Sequence, residues 1–329
     1  MPREAVHKAA AAEVLLTDSA RLGEERFAVA ALWERDHHLG HRDGPAADPV
    51  LLAETVRQAA IHLAHRFHAS TYGHPFVLHG LAVELDRPLP PIGPDGLDVG
   101  LDLDCRAAVA RRPTPGRERF ALDGVAWAGH RPVGRVRLRW EVLAPERYAV
   151  LRRRSAGAAA APERSPVAVP LPVAPPPPVA VPTGRTRARD VLLAADPERA
   201  DRWWLRPFED HPALFDHAVD HVPGMVLVEA FRQAAGALVG GAADSELRAF
   251  DAEFLAFGER GSPIAVLADP GPGPGPGPGL DPDPDPGPGP GLGPASGPAP
   301  VADGTVRVRA VQDGRPIAQA RLSFPETAC

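Results

Sequence analysis

The chain has 329 residues, with 36 Lys+Arg against 42 Asp+Glu and a formal net charge of -6. That length holds two cores of ordinary size, yet 41 Pro and 32 Gly mean that part of it cannot pack. The mild acidity and the lack of basic stretches interleaved with aromatics exclude a nucleic-acid footprint; Cys105 and Cys329 offer neither a disulfide framework nor metal-ligand spacing.

From the N-terminus, MPREAVHKAAAAEVLL is too charged for a signal peptide, and no later apolar run nears the roughly 20 residues of a membrane span. A cytoplasmic protein with no membrane contact is expected. Lys8 is the sole lysine, a bias that carries no functional weight by itself. Glu13 to Leu16 and Arg26 to Leu32 read as strands, and Pro49 to Phe67 as a helix. Leu78 to Leu85, Leu97 to Ala110, Arg119 to Trp127 and Val133 to Leu143 follow as strands separated by Pro/Gly turns. Residues 155–187, rich in Ala, Pro and Val, favour extended polyproline geometry and read as a linker. A second helix spans Gly224 to Val239, with Gly240 and Gly241 placed to end it. A Gly/Pro/Asp run over about 269–303 separates strand candidates ending near Leu267 and starting near Thr305. It reads as a disordered loop, since lengthening a surface loop adds little closure entropy.

The two helices share a phrase. AETVRQAA (Ala53 to Ala60) and VEAFRQAA (Val228 to Ala235) have a common Glu-x-x-Arg-Gln-Ala-Ala core. Upstream, EVLLTD (Glu13 to Asp18) answers DVLLAA (Asp190 to Ala195); downstream, HRPVGRVRL (His130 to Leu138) answers GRPIAQARL (Gly314 to Leu322). The chain therefore reads as a tandem duplication with halves at 1–154 and 188–329. A long helix wrapped by an antiparallel sheet, twice over, is an α+β double hot-dog.

On the first helix Glu54, Arg57, Gln58, Ile61 and His65 share one face. The second is apolar almost all round except for Glu229, Arg232 and Gln233. An i, i+3 ion pair on a solvated face would account for either triplet and contribute only about 0.2–0.5 kcal/mol. The same triplet on two apolar helices points to a use beyond that, because buried charge is costly. Before the second helix lie His211, Asp216, His217, Asp220 and His221; before the first lie Asp36, His37, His38, His41 and Asp48. Neither cluster has the short fixed spacing of a metal site, so no metal and no cofactor are expected. Pro223-Gly224 starts the second helix, leaving the N–H groups of Gly224 and Met225 to polarise a carbonyl or hold an oxyanion.

The strings FDHAVDHVPGMVLVEAFRQAA, DPVLLAETVRQAA and VHKAAAAEVLLTD resemble the A-factor biosynthesis (AfsA) family of γ-butyrolactone synthesis proteins, over both repeats. The resemblance implies a double hot-dog acyltransferase that moves a β-ketoacyl group from acyl carrier protein to a hydroxyl of dihydroxyacetone phosphate. The family motif falls on Glu54 with Arg57 and on Glu229 with Arg232. A more distant similarity to hot-dog dehydratases departs in register, since their histidine position falls on Phe215.

Such a transfer needs a base, an oxyanion site and a cation for phosphate. The expected assignment is Glu229 as base with His221 as the alternative, the N–H groups of Gly224 and Met225 at the oxyanion, and Arg232 or Arg57 at the phosphate, with Gln58 and Gln233 beside them. Glu54 is the first-half counterpart. The second half, with the fuller motif, is expected to hold the working site. A related dehydratase or thioesterase and a non-catalytic acyl- or signal-binding regulator stand as alternatives, and a homodimer is compatible with either.

Overall fold

The computed structural model describes residues 1–40, 46–108, 114–160, 185, 187–215, 219–239, 247–270 and 304–325. In the first half, 3-10 turns at Arg3–Val6 and Ala11–Glu13 lead into β1 (Leu16–Arg21), β2 (Arg26–Trp33), α1 (Pro49–Phe67), β3 (Phe76–Leu85), β4 (Leu97–Ala107), β5 (Arg117–Ala128), β6 (Arg131–Leu143) and α2 (Pro145–Ala160). The second half has a 3-10 turn at Ala188–Asp190, then β7 (Leu193–Ala195), β8 (Arg202–Leu205), β9 (His221–Val222), α3 (Gly224–Leu238), β10 (Ala249–Phe254), β11 (Gly258–Glu259), β12 (Ile264–Pro270), β13 (Thr305–Gln312) and β14 (Arg315–Ser323).

Twelve strands form one antiparallel sheet in the order β1-β2-β4-β5-β6-β3-β10-β14-β13-β12-β8-β7. Read from either end, this is the same topology, so the duplication is a pseudo-two-fold in space. The halves join where β3 pairs β10, from Glu84 opposite Ala249 to Gly80 opposite Glu253, which covers the edge each half would otherwise expose. The strands pack because their apolar residues alternate, as in β2, where Phe27, Val29, Ala31 and Trp33 are buried.

Asp48 caps α1 by accepting from Val50 N at 2.8 Å, and Pro49 occupies the first helical position, where its missing N–H costs nothing. Small residues such as Ala53, Ala59, Ala60 and Ala64 are fully enclosed or nearly so, and α1 is buried on almost every side. α3 is enclosed in the same way from Met225 to Gly236. Each helix packs on its own half of the sheet, the two touch each other, and one hydrophobic core runs through both halves. Each large apolar side chain in that core contributes about 1.5–3 kcal/mol. The architecture is the α+β double hot-dog expected from the repeat.

Several local expectations shift. Glu13 lies in a 3-10 turn and the strand begins only at Leu16; the equivalent Asp190 also lies in a 3-10 turn. β3 begins at Phe76, two residues earlier than its apolar run suggests. α2 continues to Ala160, past the expected linker boundary, because PERYAVLRRRSAGAAA is rich in the strong helix formers Ala and Arg. Most of that linker, the Gly/Pro/Asp run beyond Pro270, and Gly240 with Gly241 lie outside the described residues. β9 and β11 form a separate two-stranded ribbon that holds the segment before α3. Among the described residues no helix is long and apolar enough to cross a membrane.

Candidate active site

The repeated glutamines have a structural task. Gln58 Oε1 accepts from Leu15 N at 2.9 Å and its Nε2 donates to Glu13 O at 2.8 Å; Gln233 does the same with Leu192 N at 2.9 Å and Asp190 O at 2.7 Å. Each therefore stitches its helix to the segment preceding the first strand of its half. Each Nε2 also reaches the adjacent carboxylate, Glu54 at 2.9 Å and Glu229 at 2.7 Å. Neither glutamine is among the residues lining the cavity described below.

The carboxylates are buried ion-pair centres and not solvated surface pairs. Arg57 grips Glu54 through Nε and Nη2, both at 2.8 Å, and Lys8 Nζ lies 3.0 Å from Glu54 Oε1. In the second half Arg232 binds Glu229, and Arg185 adds Nε and Nη2 at 3.1 and 2.8 Å. Lys8 stands five residues before Glu13 and Arg185 five before Asp190, so they are equivalent cations of the repeat. Burial pushes the Glu54 carboxyl up, but Arg57 and Lys8 beside it outweigh that and hold it well below the usual carboxylate range. Removing one member of such a pair costs about 3–5 kcal/mol, ten times the worth of a surface pair.

The two sites differ at the N-terminus of the facing helix. Asp48 and Pro223 are the N-caps, each six residues before its helix glutamate. Asp48 Oδ1 accepts from Arg232 Nη1 at 2.7 Å as well as from Val50 N, and Oδ2 accepts from His38 N at 3.0 Å. His37 Nε2 lies against Arg232 Nη2 at 3.1 Å and Arg185 Nη1 at 2.9 Å. The site around Glu229 is thus filled by the chain itself, and the Arg232 side chain is 1% exposed. Pro223 has no side-chain acceptor to offer Arg57, whose side chain keeps 19% exposure.

Beside Arg57 is a cavity of about 560 Å³. Its walls bring Lys8, Glu54 and Arg57 of the first half to His221, Gly224 and Met225 of the second. Apolar side chains including Phe76, Leu78, Leu214, Phe254 and Phe257 line much of the rest, and the charged groups Arg117, Arg154 and Arg315 stand there with Glu141, Glu259 and Asp313. A Cβ at Gly224 would stand 3.1 Å from the Phe254 ring and 3.3 Å from Leu78, so glycine keeps that wall relaxed. Among the described residues the N–H groups of Gly224 and Met225 have no intramolecular acceptor, as expected for a first turn whose cap is proline.

His221 belongs to a relay that includes α2. Its Nδ1 lies 2.8 Å from Asp220 Oδ1, which also accepts from Tyr148 Oη at 2.6 Å; Arg152 Nε reaches Asp220 Oδ2 at 2.9 Å. Arg152 in turn binds Glu259 with both terminal nitrogens, at 2.6 and 2.8 Å, and lies over the Phe257 ring. Burial pushes the Asp220 carboxyl up, but bonds from Tyr148, His221 and Arg152 bring it below its ordinary value. An ionised Asp220 keeps the proton on His221 Nδ1, leaving Nε2 basic. Burial lowers the His221 pKa, with Asp220 opposing, so the ring is neutral near pH 7.

The structure therefore brings Glu54, Arg57, His221, Gly224 and Met225 to one cavity, and places Glu229 and Arg232 in the filled site instead. His211 is a buried clamp: its Nε2 faces Asp190 at 3.0 Å and its Nδ1 accepts from Ala213 N and Leu214 N. His38 is enclosed, and burial lowers its pKa to about 3. Phe215 is a partly buried core side chain. Among the described residues no group of three or more His, Cys, Asp or Glu could hold a metal ion; His41, Asp216 and His217 lie outside them. Lys8, Asp220 and the α2 residues Tyr148, Arg152 and Arg154 are additions to the sequence-derived set. Extending the repeat to Lys8 and Arg185 would have found the first; among the described residues α2 has no counterpart in the second half.

The A-factor biosynthesis hotdog domain matches residues 1–144 and 175–270. The chain is 36% identical over 240 residues to the 2-oxo-3-(phosphooxy)propyl 3-oxoalkanoate synthase of Streptomyces virginiae, covering 72% of this chain and 76% of that protein. It is 36% identical over 278 residues to the synthase of the same name from Streptomyces griseus, covering 82% and 85%. Among solved structures it is similar to the 12:0-ACP thioesterase from Umbellularia californica, at 12% identity and a TM-score of 0.47 over 93% of this chain and 99% of that one.

Proposed function

This chain belongs to the A-factor biosynthesis (AfsA) hotdog family, and we propose that it transfers a β-ketoacyl group from an acyl carrier protein thioester to the hydroxyl of dihydroxyacetone phosphate. The product is the phosphorylated ester from which a γ-butyrolactone signal is built. The observation that carries this reading is the cavity between the halves, where an apolar wall suited to an acyl chain meets a basic histidine, helix N–H groups and arginines.

In the transfer, the acceptor hydroxyl oxygen adds to the thioester carbonyl carbon while its proton passes to His221 Nε2. The carbonyl oxygen, now anionic, accepts from the N–H of Gly224. Collapse of this intermediate breaks the C–S bond, and the proton held by His221 goes to the departing thiolate. Glu54, kept ionised by Arg57 and Lys8, is better suited to orienting those cations than to taking a proton. This places the chemistry on Glu54, Arg57 and His221, with Glu229 and Arg232 holding the scaffold. An acyl carrier protein donor sets the reaction in the cytoplasm.

The test is to incubate the purified protein with a β-ketoacyl thioester, with and without dihydroxyacetone phosphate, and to detect the phosphorylated ester by mass spectrometry. Ester that forms only with the acceptor supports the transferase. Thiol release at the same rate without it would replace this reading by a thioesterase, and an unchanged but bound thioester by a binding protein.

A further inference from the structure

The pseudo-two-fold that relates the halves also relates two anion environments, one filled by the chain and one facing the cavity. In the filled one, a single carboxylate oxygen, Asp48 Oδ1, accepts from Arg232 Nη1 at 2.7 Å and from Val50 N at 2.8 Å. Val50 stands two residues after the cap Asp48; Met225 stands two residues after the cap Pro223. Arg232 and Arg57 each stand three residues after their helix glutamate and both bind it, Arg57 through Nε and Nη2 and Arg232 through Nη2. The donors that hold the Asp48 carboxylate thus have direct equivalents in Arg57 and the N–H of Met225, both at the cavity wall. At the position of Asp48 the second helix carries Pro223, whose side chain has no acceptor to offer.

We infer that the Asp48 carboxylate occupies, in the filled site, the place that the phosphate of the acceptor takes in the cavity, so that Arg57 and the N–H of Met225 form the phosphate subsite and the chain has one working site. This rests on the transferase reading and extends it. A guanidinium beside a helix N-terminus is well suited to a tetrahedral dianion, with charge-assisted bonds from both. The two sites also differ at the next position. Gly224 has an N–H to offer a carbonyl oxygen, whereas its equivalent Pro49 has none, so the filled site lacks both the space and that donor. In the cavity the division of labour follows: Met225 with Arg57 for phosphate, and Gly224 for the oxyanion.

The substitution Pro223→Asp tests this by giving the cavity the carboxylate that Asp48 supplies to its counterpart. The variant gains a helix cap, so its melting temperature should equal or exceed that of the unmodified protein. Its KM for dihydroxyacetone phosphate should rise by at least about tenfold, with the KM for the acyl thioester held within about threefold, as expected when a fixed anion competes for a charge-assisted site. Pro223→Asn, a neutral cap of the same shape, should leave both constants within about threefold. Inorganic phosphate should compete with the acceptor in the unmodified protein and should not bind the Pro223→Asp variant, as read by calorimetry without any turnover. An unchanged KM for dihydroxyacetone phosphate in Pro223→Asp, an equal rise in Pro223→Asn, or phosphate binding undiminished in Pro223→Asp would overturn the subsite. Absence of ester from the unmodified protein would instead defeat the transferase reading, and the phosphate calorimetry would still decide the subsite.

Discussion

Arg232 on α3 donates through Nη1 to Asp48 Oδ1, the cap of α1, at 2.7 Å and across 184 residues of chain. The bond ties the two central helices together inside the core, where both side chains are at most 2% exposed. Asp48→Ala removes the cap, worth about 1 kcal/mol, and deprives a buried guanidinium of a carboxylate, which costs about 3–5 kcal/mol. Asp48→Asn keeps a capping oxygen and should cost clearly less than the alanine variant. Urea denaturation of the two variants measures this, and a loss under about 1 kcal/mol for Asp48→Ala would show that the tie is energetically idle.

Glu54→Gln and Glu229→Gln should separate the two sites. Both leave buried cations short of a carboxylate and should lose about 3–5 kcal/mol of stability. Only Glu54 lies at the cavity. Per folded molecule, Glu54→Gln should lower kcat/KM by about 100-fold or more, whereas Glu229→Gln should stay within about fivefold. The reverse pattern would move the working site to the second helix.

Gln58→Leu and Gln233→Leu each strip two buried backbone groups of their partner. The expected loss is about 1–3 kcal/mol per group left unsatisfied, seen as a lower denaturation midpoint in both variants. A substrate-binding role for the amides would instead appear as a raised KM with stability intact.

His221 is the proposed base, so activity should follow its neutral form. Its pKa is lowered below 6.5 by burial, and kcat/KM should therefore be flat near pH 7 and fall only as pH drops through that lowered value. Asp220 opposes the lowering, so Asp220→Asn should shift the acid limb to lower pH while reducing kcat through loss of the Nδ1 tautomer. His221→Gln should cost about 100- to 10,000-fold in kcat. An acid limb unmoved by Asp220→Asn would remove His221 from the role.

His38 makes stability depend on pH in a stated direction. Burial lowers its pKa from 6.5 to about 3 in the folded protein, so between those values the unfolded chain binds the extra proton. Stability is therefore full above pH 6.5 and is lost as pH falls toward 3, at up to about 1.4 kcal/mol per pH unit. Neither ring nitrogen has a hydrogen-bond partner among the described residues. His38→Leu should flatten the slope over this range without loss at pH 7, which denaturation at a series of pH values would check.

Much of the fold was legible from pattern. Local periodicity marked the helices over Pro49 to Phe67 and Gly224 to Val239, the second ending one residue earlier in the structure, and repeated phrases in β1 and β7, in the helices, and in β6 and β14 marked the duplication. Helix period, strand alternation and caps are local properties, so a linear reading reaches them. α2 escaped because it sits next to a low-complexity run and, among the described residues, has no repeat partner to announce it.

The sequence by itself determined that there are two equivalent Glu-x-x-Arg-Gln helices, each in a hot-dog half, and that they belong to one family motif. Only the tertiary structure decided which of the two carboxylates faces a cavity. That choice depends on Asp48 and Pro223, each of which acts on the helix of the other half. A cap residue's local chemistry is visible in the sequence. Whether its carboxylate reaches an arginine 184 residues away is set by how the two halves pair across β3 and β10.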